Sequence, residues 1–141
     1  MKGDSRRLFA TAIPAVTLLV LFAFVFYLGQ VQADCSIWDM EVNQTLNGWL
    51  RGIPVYQVVV LNLCNIPDGC LLGDIHLTCG DFSTSLPVDP LTFRLINFND
   101  CLLVDGGNTY SGNVISFKYA HPGPYPMTIS SVTCFPQIPP T

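Results

Sequence analysis

Residues 55–63 read Val-Tyr-Gln-Val-Val-Val-Leu-Asn-Leu, a run whose apolar side chains occupy both alternating faces. Pro54 stands immediately before the run. β-Branched residues are enriched in strands, and a strand that is apolar on both faces lies inside a protein. The stretch therefore predicts a central β-strand.

The segment before it, residues 36–46, alternates with a period of two. One parity carries the mainly apolar set Trp38, Met40, Val42, Gln44 and Leu46, and the other carries the polar set Asp39, Glu41, Asn43 and Thr45. Such alternation is typical of a half-buried strand, here with an acidic outer face.

Five further short strands are predicted, at residues 74–79, 93–98, 101–104, 114–119 and 127–135. Turns rich in Gly and Pro, such as Pro67-Asp68-Gly69, separate them, and no stretch after Ala33 keeps a helical period. The pattern predicts an all-β fold, a small disulfide-stapled antiparallel β-sandwich over residues 34–135. The tail, residues 136–141, contains three prolines and is expected to fray.

The first 33 residues have a different character. A basic head, MKGDSRR, is followed by an almost unbroken apolar run from Leu8 to Leu28 and by small residues at Val31 and Ala33. This order predicts a secretory signal peptide that is cleaved after Ala33. The alternative is an uncleaved membrane anchor, because the apolar run has about the length that spans a bilayer. Both readings place the rest of the chain outside the cytosol.

The remaining residues, 34–141, are acidic. They carry nine Asp or Glu side chains against three basic ones, Arg51, Arg94 and Lys118, which gives a net charge of −6. So few basic groups exclude a nucleic-acid-binding protein. The abundant Val, Ile, Leu and Phe residues exclude a disordered chain.

All six cysteines follow Ala33: Cys35, Cys64, Cys70, Cys79, Cys101 and Cys134. An even number in a small exported domain indicates a disulfide framework. The spacings lack the paired C-x2-C of a zinc site, so no metal is expected. Six cysteines allow 15 pairings. We expect Cys64 to pair locally with Cys70 and the other four to pair across sheets.

The sequence offers no catalytic site and no cofactor site. Asp39 and Glu41 are the nearest pair of carboxylates, but their parity places both on the solvent face. No acid is placed by the sequence to orient His76, and His121 lies among prolines, so we expect a surface histidine and a loop histidine. The expectation is a protein that is not an enzyme.

Modification and binding are better supported. Asn43-Gln44-Thr45 is an N-x-T acceptor, which makes Asn43 a candidate glycosylation site. Large aromatic residues in segments predicted as loops either pack at the sandwich ends or are displayed as binding anchors. The candidate partner-contact residues are Trp49, Arg51, Phe82, Arg94 and Tyr125.

Several fragments occur in a characteristic order. They include Gly52-Ile-Pro-Val-Tyr56, Ile75-His-Leu-Thr-Cys-Gly80, Asp89-Pro90-x-x-Phe93-Arg94 and Phe117-x-Tyr119-Ala120, together with the six cysteines. Over residues 35–135 this set resembles the tapetum-determinant family of small secreted plant proteins. The resemblance implies a ligand in the apoplast that is perceived by a leucine-rich-repeat receptor kinase and specifies cell fate in the anther. It also implies that the six cysteines are required for a foldable, active ligand.

The leading hypothesis is therefore a secreted, non-enzymatic protein ligand. The alternative is an extracellular module that binds cell-wall polysaccharides through a row of aromatic residues, for which Trp49, Tyr110 and Tyr125 are candidates.

Overall fold

The computed structural model describes residues 12–28, 35–65 and 70–135. The chain divides into two units, residues 1–33 and residues 34–141. The first unit contains helix α1, Ala15–Leu28. Among the described residues, no helix is long and apolar enough to cross a membrane. Cleavage after Ala33 stays a prediction, and the predicted turn at residues 67–69 and the predicted frayed tail lie outside the described residues.

The second unit is built from eight strands over its described part. They are β1 (Met40–Leu50), β2 (Ile53–Asn62), β3 (Leu71–Leu77), β4 (Phe93–Asn97), β5 (Asp100–Leu103), β6 (Thr109–Tyr110), β7 (Val114–Ala120) and β8 (Ile129–Phe135). One sheet has the order β1-β2-β7. The other has the order β4-β5-β3-β6, with β8 also paired to β3. Every pairing is antiparallel, which confirms the predicted all-β fold.

The core lies between the two sheets, and β2 supplies its centre as predicted. Val58 and Val60 of β2 are fully buried, as are Ile75 and Leu77 of β3 in the other sheet. Aromatic rings complete the contact between the sheets. Phe93 of β4 stacks on Phe117 of β7 with ring centroids 4.1 Å apart. Burial of these side chains from both sheets drives their association.

The entry into β1 differs from the prediction of a strand over residues 36–46. Ile37–Asp39 form a 3₁₀ turn, and β1 begins at Met40. The Ser36 hydroxyl accepts a hydrogen bond from the Trp38 amide, and the Asp39 carboxylate accepts one from the Ser36 amide at 2.6 Å. This capping box provides hydrogen-bond acceptors for the backbone amides at the start of the turn. Trp38, expected on the inner face, is therefore 86% exposed.

A buried polar side chain stands near the end of β2. Asn62 is 1% exposed. Its amide nitrogen donates to the Thr109 carbonyl at 3.1 Å, and its amide oxygen accepts from the Cys64 backbone nitrogen at 3.0 Å. Because both ends of the amide are hydrogen-bonded, its burial carries no desolvation penalty for an unpaired group.

Candidate functional site

All six cysteines form disulfide bonds. The bridges join Cys64 to Cys70, Cys79 to Cys101 and Cys35 to Cys134. The local Cys64–Cys70 bridge is the one expected from the sequence. Cys35 precedes β1 of the first sheet and Cys134 lies in β8 of the second, so that bridge links the two sheets as expected.

The Cys79–Cys101 bridge does not cross between sheets, so that expectation is wrong. Cys101 of β5 is paired in register with Leu77 of β3, in the same sheet. Cys79 lies two residues beyond Leu77, and its Cα is 6.1 Å from that of Cys101. The bridge therefore fastens the end of β3 to its neighbouring strand, and both of its cysteines are fully buried.

The tip of the β1–β2 hairpin displays two of the candidate contact residues. Trp49, expected in a loop, lies in β1 just after a register shift and is 66% exposed. Arg51 follows in the turn, where its φ of 48° and that of Gly52, 82°, reverse the chain. Leu46, also exposed, adds a second apolar side chain to this hairpin. We call Leu46, Trp49 and Arg51 the hairpin tip.

A groove of about 460 Å³ adjoins the hairpin tip. Leu50, Arg51 and Ile53 line it from the hairpin, and residues 85–87 line it from the facing loop. Within the described part of the chain, Arg51 forms no ion pair. Its guanidinium is thus available to a carboxylate of another molecule, which it can bind through two parallel hydrogen bonds.

Arg94 is placed differently. Its Nη2 lies 2.9 Å from Oδ1 of Asp105, and its Nε also donates to that oxygen. The pair joins β4 to the 3₁₀ turn after β5 and is exposed on both sides. The structure thus gives Arg94 a partner within the domain, and an exposed pair of this kind contributes little stability.

Phe82 and Tyr125 are half-buried and pack against the core. The ring centroid of Phe82 lies 4.9 Å from that of Phe93 and 5.2 Å from that of Tyr125. The Tyr125 hydroxyl accepts a hydrogen bond from the Ser83 amide at 3.0 Å. This packing favours a structural role for both aromatics. Of the three rings named for the polysaccharide-binding alternative, Tyr125 is thus packed against the core, whereas Trp49 and Tyr110 are exposed.

Tyr119 holds this aromatic cluster to β1. Its hydroxyl donates to the Gln44 side-chain oxygen at 2.7 Å and accepts from the Tyr125 amide at 2.9 Å. The ring is fully buried, and burial raises the pKa of its hydroxyl. These two bonds make Tyr119 a structural residue of the site.

His76 has two acidic neighbours that the sequence did not indicate. Its Nδ1 is 2.6 Å from Oδ1 of Asp100, and its Nε2 is 3.3 Å from Oδ1 of Asp74. The pairing of β3 with β5 brings Asp100 to the histidine across 24 residues of sequence. The hydrogen bond to Asp100 raises the pKa of His76 above its usual 6.5. Both ring nitrogens of His76 thus lie within hydrogen-bonding distance of carboxylates, and the contacts become ion pairs when the ring is protonated.

The other candidate carboxylates do not form a catalytic pair. Asp39 caps the 3₁₀ turn, whereas Glu41 is exposed on β1 and accepts a hydrogen bond from the Asn43 side chain at 2.6 Å. His121 lies in the loop before β8 and bonds to the Gly123 carbonyl at 2.8 Å. Over the described ranges, no group of three or more His, Cys, Asp or Glu residues is arranged to hold a metal ion.

Asn43 lies on the outward face of β1, where its side chain is exposed. Its amide nitrogen, the atom to which a glycan is attached, hydrogen-bonds only to the exposed Glu41 carboxylate among the described residues. An enzyme can therefore reach it without unfolding the domain. Glycosylation at this position stays a prediction.

Comparison with known proteins places this domain. Residues 36–135 match the family described as "Tapetum determinant 1, C-terminal". The chain is 39% identical over 110 residues to "TPD1 protein homolog 1B" of Oryza sativa subsp. japonica, an alignment that covers 77% of this chain and 63% of the relative. It is 37% identical over 107 residues to "TPD1 protein homolog 1" of Arabidopsis thaliana, covering 75% of this chain and 59% of that protein.

The alignments thus span about three fifths of the length of these two curated relatives. No solved structure matches the chain. The family match covers all eight strands and all six cysteines except Cys35, which lies one residue before it. The chain therefore belongs to the tapetum determinant 1 family.

Proposed function

We propose that this protein is a secreted, non-enzymatic ligand that a leucine-rich-repeat receptor kinase perceives in the apoplast. Its role would be the specification of cell fate in plant development, as in the anther and tapetum. The observation that carries the proposal is the family match over residues 36–135, which takes in nearly the whole disulfide-bonded domain. The predicted signal peptide and the three disulfide bonds are consistent with an extracellular protein.

The disulfide framework suits a ligand that acts by shape. A surface whose segments are already ordered loses little conformational entropy when it docks, and that saving appears as affinity. The concave face of a leucine-rich-repeat ectodomain offers an extended surface for such a domain. Reduction of the bridges would release the β1 entry and the ends of β3 and β8, so binding should require the oxidised protein.

The hairpin tip is the part of the domain that best fits a receptor contact. Trp49 offers a large exposed aromatic side chain, and tryptophan and arginine are enriched among residues that dominate binding energy. Arg51 offers a guanidinium that forms no ion pair within the described residues, beside an apolar groove. The net charge of −6 on residues 34–141 would draw the domain towards a basic receptor surface, and Arg51 would then pair with a carboxylate at the contact.

The test is binding of the secreted protein to a panel of leucine-rich-repeat ectodomains, measured by surface plasmon resonance before and after reduction. We expect one ectodomain to bind the oxidised protein only. Arg51→Glu should weaken binding about tenfold or more. Lys118→Glu makes the same change of charge at an exposed side chain of β7 and should have a much smaller effect.

Unchanged affinity after full reduction would contradict the proposed mechanism, as would equal losses in the two charge variants. Retention on insoluble wall polymers with no ectodomain binding would favour the polysaccharide-binding alternative. N-terminal sequencing of the exported protein is expected to begin at Asp34.

A further inference from the structure

A second groove lies away from the hairpin tip, between the beginnings of β1 and β8. Its volume is about 460 Å³. The buried side chains of Met40 and Met127 form its floor, and Val42 and Ile129 form parts of its sides. Trp38 stands on its rim and is 86% exposed. We call this the Trp38 groove.

The strand that forms one side of the groove has an open edge. β1 pairs with β2 along one side, and the described residues place no strand on its other side. β8 likewise pairs only with β3 within the described part of the chain. An open edge presents unpaired backbone N–H and C=O groups, which an extended peptide can complete as an added strand.

The two sides of the groove are held in place independently of any ligand. The Cys35–Cys134 disulfide ties the turn that carries Trp38 to β8. The Gln44 side-chain nitrogen donates to the Tyr125 carbonyl at 2.7 Å, which ties β1 to the segment leading into β8. The groove is therefore formed before a partner arrives, and a partner need not open it.

The charge of the groove lining indicates what kind of peptide strand would bind there. Glu41 is the one charged residue that lines the groove, and it forms no ion pair within the described residues. A second copy of this acidic chain would bring another Glu41 and a like net charge of −6, so repulsion disfavours self-pairing. A basic side chain would instead find a carboxylate at the groove.

We infer that the Trp38 groove binds an extended segment of another protein, one that alternates apolar side chains with at least one lysine or arginine. The segment adds to the open edge of β1, places an apolar side chain against Trp38 and pairs its cation with Glu41. This surface is separate from the hairpin tip, so the domain can hold two partners or two parts of one partner.

The test uses the full oxidised protein as it is secreted. The probe is a capped hexapeptide that alternates valine with threonine and carries one lysine. We expect saturable binding by isothermal titration calorimetry and slower hydrogen–deuterium exchange in the β1 segment. The same peptide with N-methylated alternate amides should not bind, because it cannot form the strand hydrogen bonds.

Matched variants separate this groove from the rest of the surface. Trp38→Ala should weaken probe binding about tenfold, whereas Trp49→Ala, which removes the exposed tryptophan of the hairpin tip, should leave it unchanged. Glu41→Lys should transfer the preference to a probe with glutamate in place of lysine. Asp81→Lys makes the same charge change at an exposed loop and should not alter the preference.

Three results would overturn the inference. The first is the absence of saturable binding by the lysine probe. The second is equal loss of binding in the two tryptophan variants. The third is protection of the β1 edge amides from hydrogen exchange in the protein alone, because the edge is then occupied by the chain itself or by a second copy. Sedimentation would reveal a second copy as a dimer.

Discussion

Removal of the Cys35–Cys134 bridge tests how the disulfides stabilise this domain. The two cysteines are 99 residues apart in sequence, whereas Cys64 and Cys70 are separated by six. Cys35 is half-buried and Cys134 is exposed, so replacement of both by serine removes little packing. The effect on stability should therefore come mainly from the unfolded chain, which gains freedom when the cross-link is lost.

The loop-closure relation gives the magnitude. A loop of this length corresponds to about 4.7 kcal/mol at 25 °C, and the short Cys64–Cys70 loop to about 2 kcal/mol. Domains of this size are stable by only about 5–15 kcal/mol. The double variant Cys35→Ser with Cys134→Ser should therefore lose a large share of its free energy of unfolding.

Urea denaturation of the secreted protein, followed by circular dichroism, measures both the free energy and its dependence on urea. The long-loop variant should show a steeper dependence, because its unfolded chain exposes more surface. The variant with Cys64→Ala and Cys70→Ala should show nearly the original slope. A loss below about 1 kcal/mol in the long-loop variant, with an unchanged slope, would refute the chain-entropy reasoning.

Three further predictions follow from side chains of the domain. Tyr119→Phe removes two hydrogen bonds from a buried ring and should lower the free energy of unfolding by about 1–3 kcal/mol. The control variant Tyr110→Phe, at an exposed ring, should change it by less than about 0.5 kcal/mol. Urea denaturation measures both values. Because the Asp100 hydrogen bond raises the pKa of His76, the stability that this pair adds should be complete below pH 6.5 and lost as the pH rises through the raised pKa. The stability difference between the natural protein and His76→Gln should thus be larger at pH 5 than at pH 8, and equal differences would contradict the assignment. Asn43→Gln should lower the mass of the secreted protein by one glycan without changing its unfolding midpoint, and an unchanged mass would place no glycan there.

The parts of the fold that depend on nearby residues could be predicted from the sequence. The position of β2 could be predicted from its own apolar run. The Cys64–Cys70 bridge could be predicted because the two cysteines are separated by only six positions in the sequence. By contrast, the Cys79–Cys101 bridge depends on the register between β3 and β5. Period-two patterns fix which face a residue occupies but not which strand lies beside it.

Because the sequence pattern does not fix which strands are neighbours, two features of the candidate site could not be predicted. The exposure of Trp49 and the contact of His76 with Asp100 both depend on strand pairing, at a register shift in the first case and across two neighbouring strands in the second. The exposure of Trp38 has a different cause, the 3₁₀ turn at Ile37–Asp39. Ser36 and Asp39 carry the sequence signature of a capping box, which favours a turn over the first residues of the alternating pattern.

The buried amide of Asn62 has a consequence for folding accuracy. If β2 slid by one residue along its neighbours, the Asn62 side chain would leave the Thr109 carbonyl and turn towards the opposite face, while an apolar side chain took its place beside Thr109. The carbonyl of buried Thr109 would then lose the hydrogen bond that Asn62 donates to it, at a cost of about 1–3 kcal/mol. The β-branched residues of this run are nearly interchangeable and would pack similarly in several registers. The hydrogen bond from Asn62 to Thr109 therefore favours one register of β2 over the others.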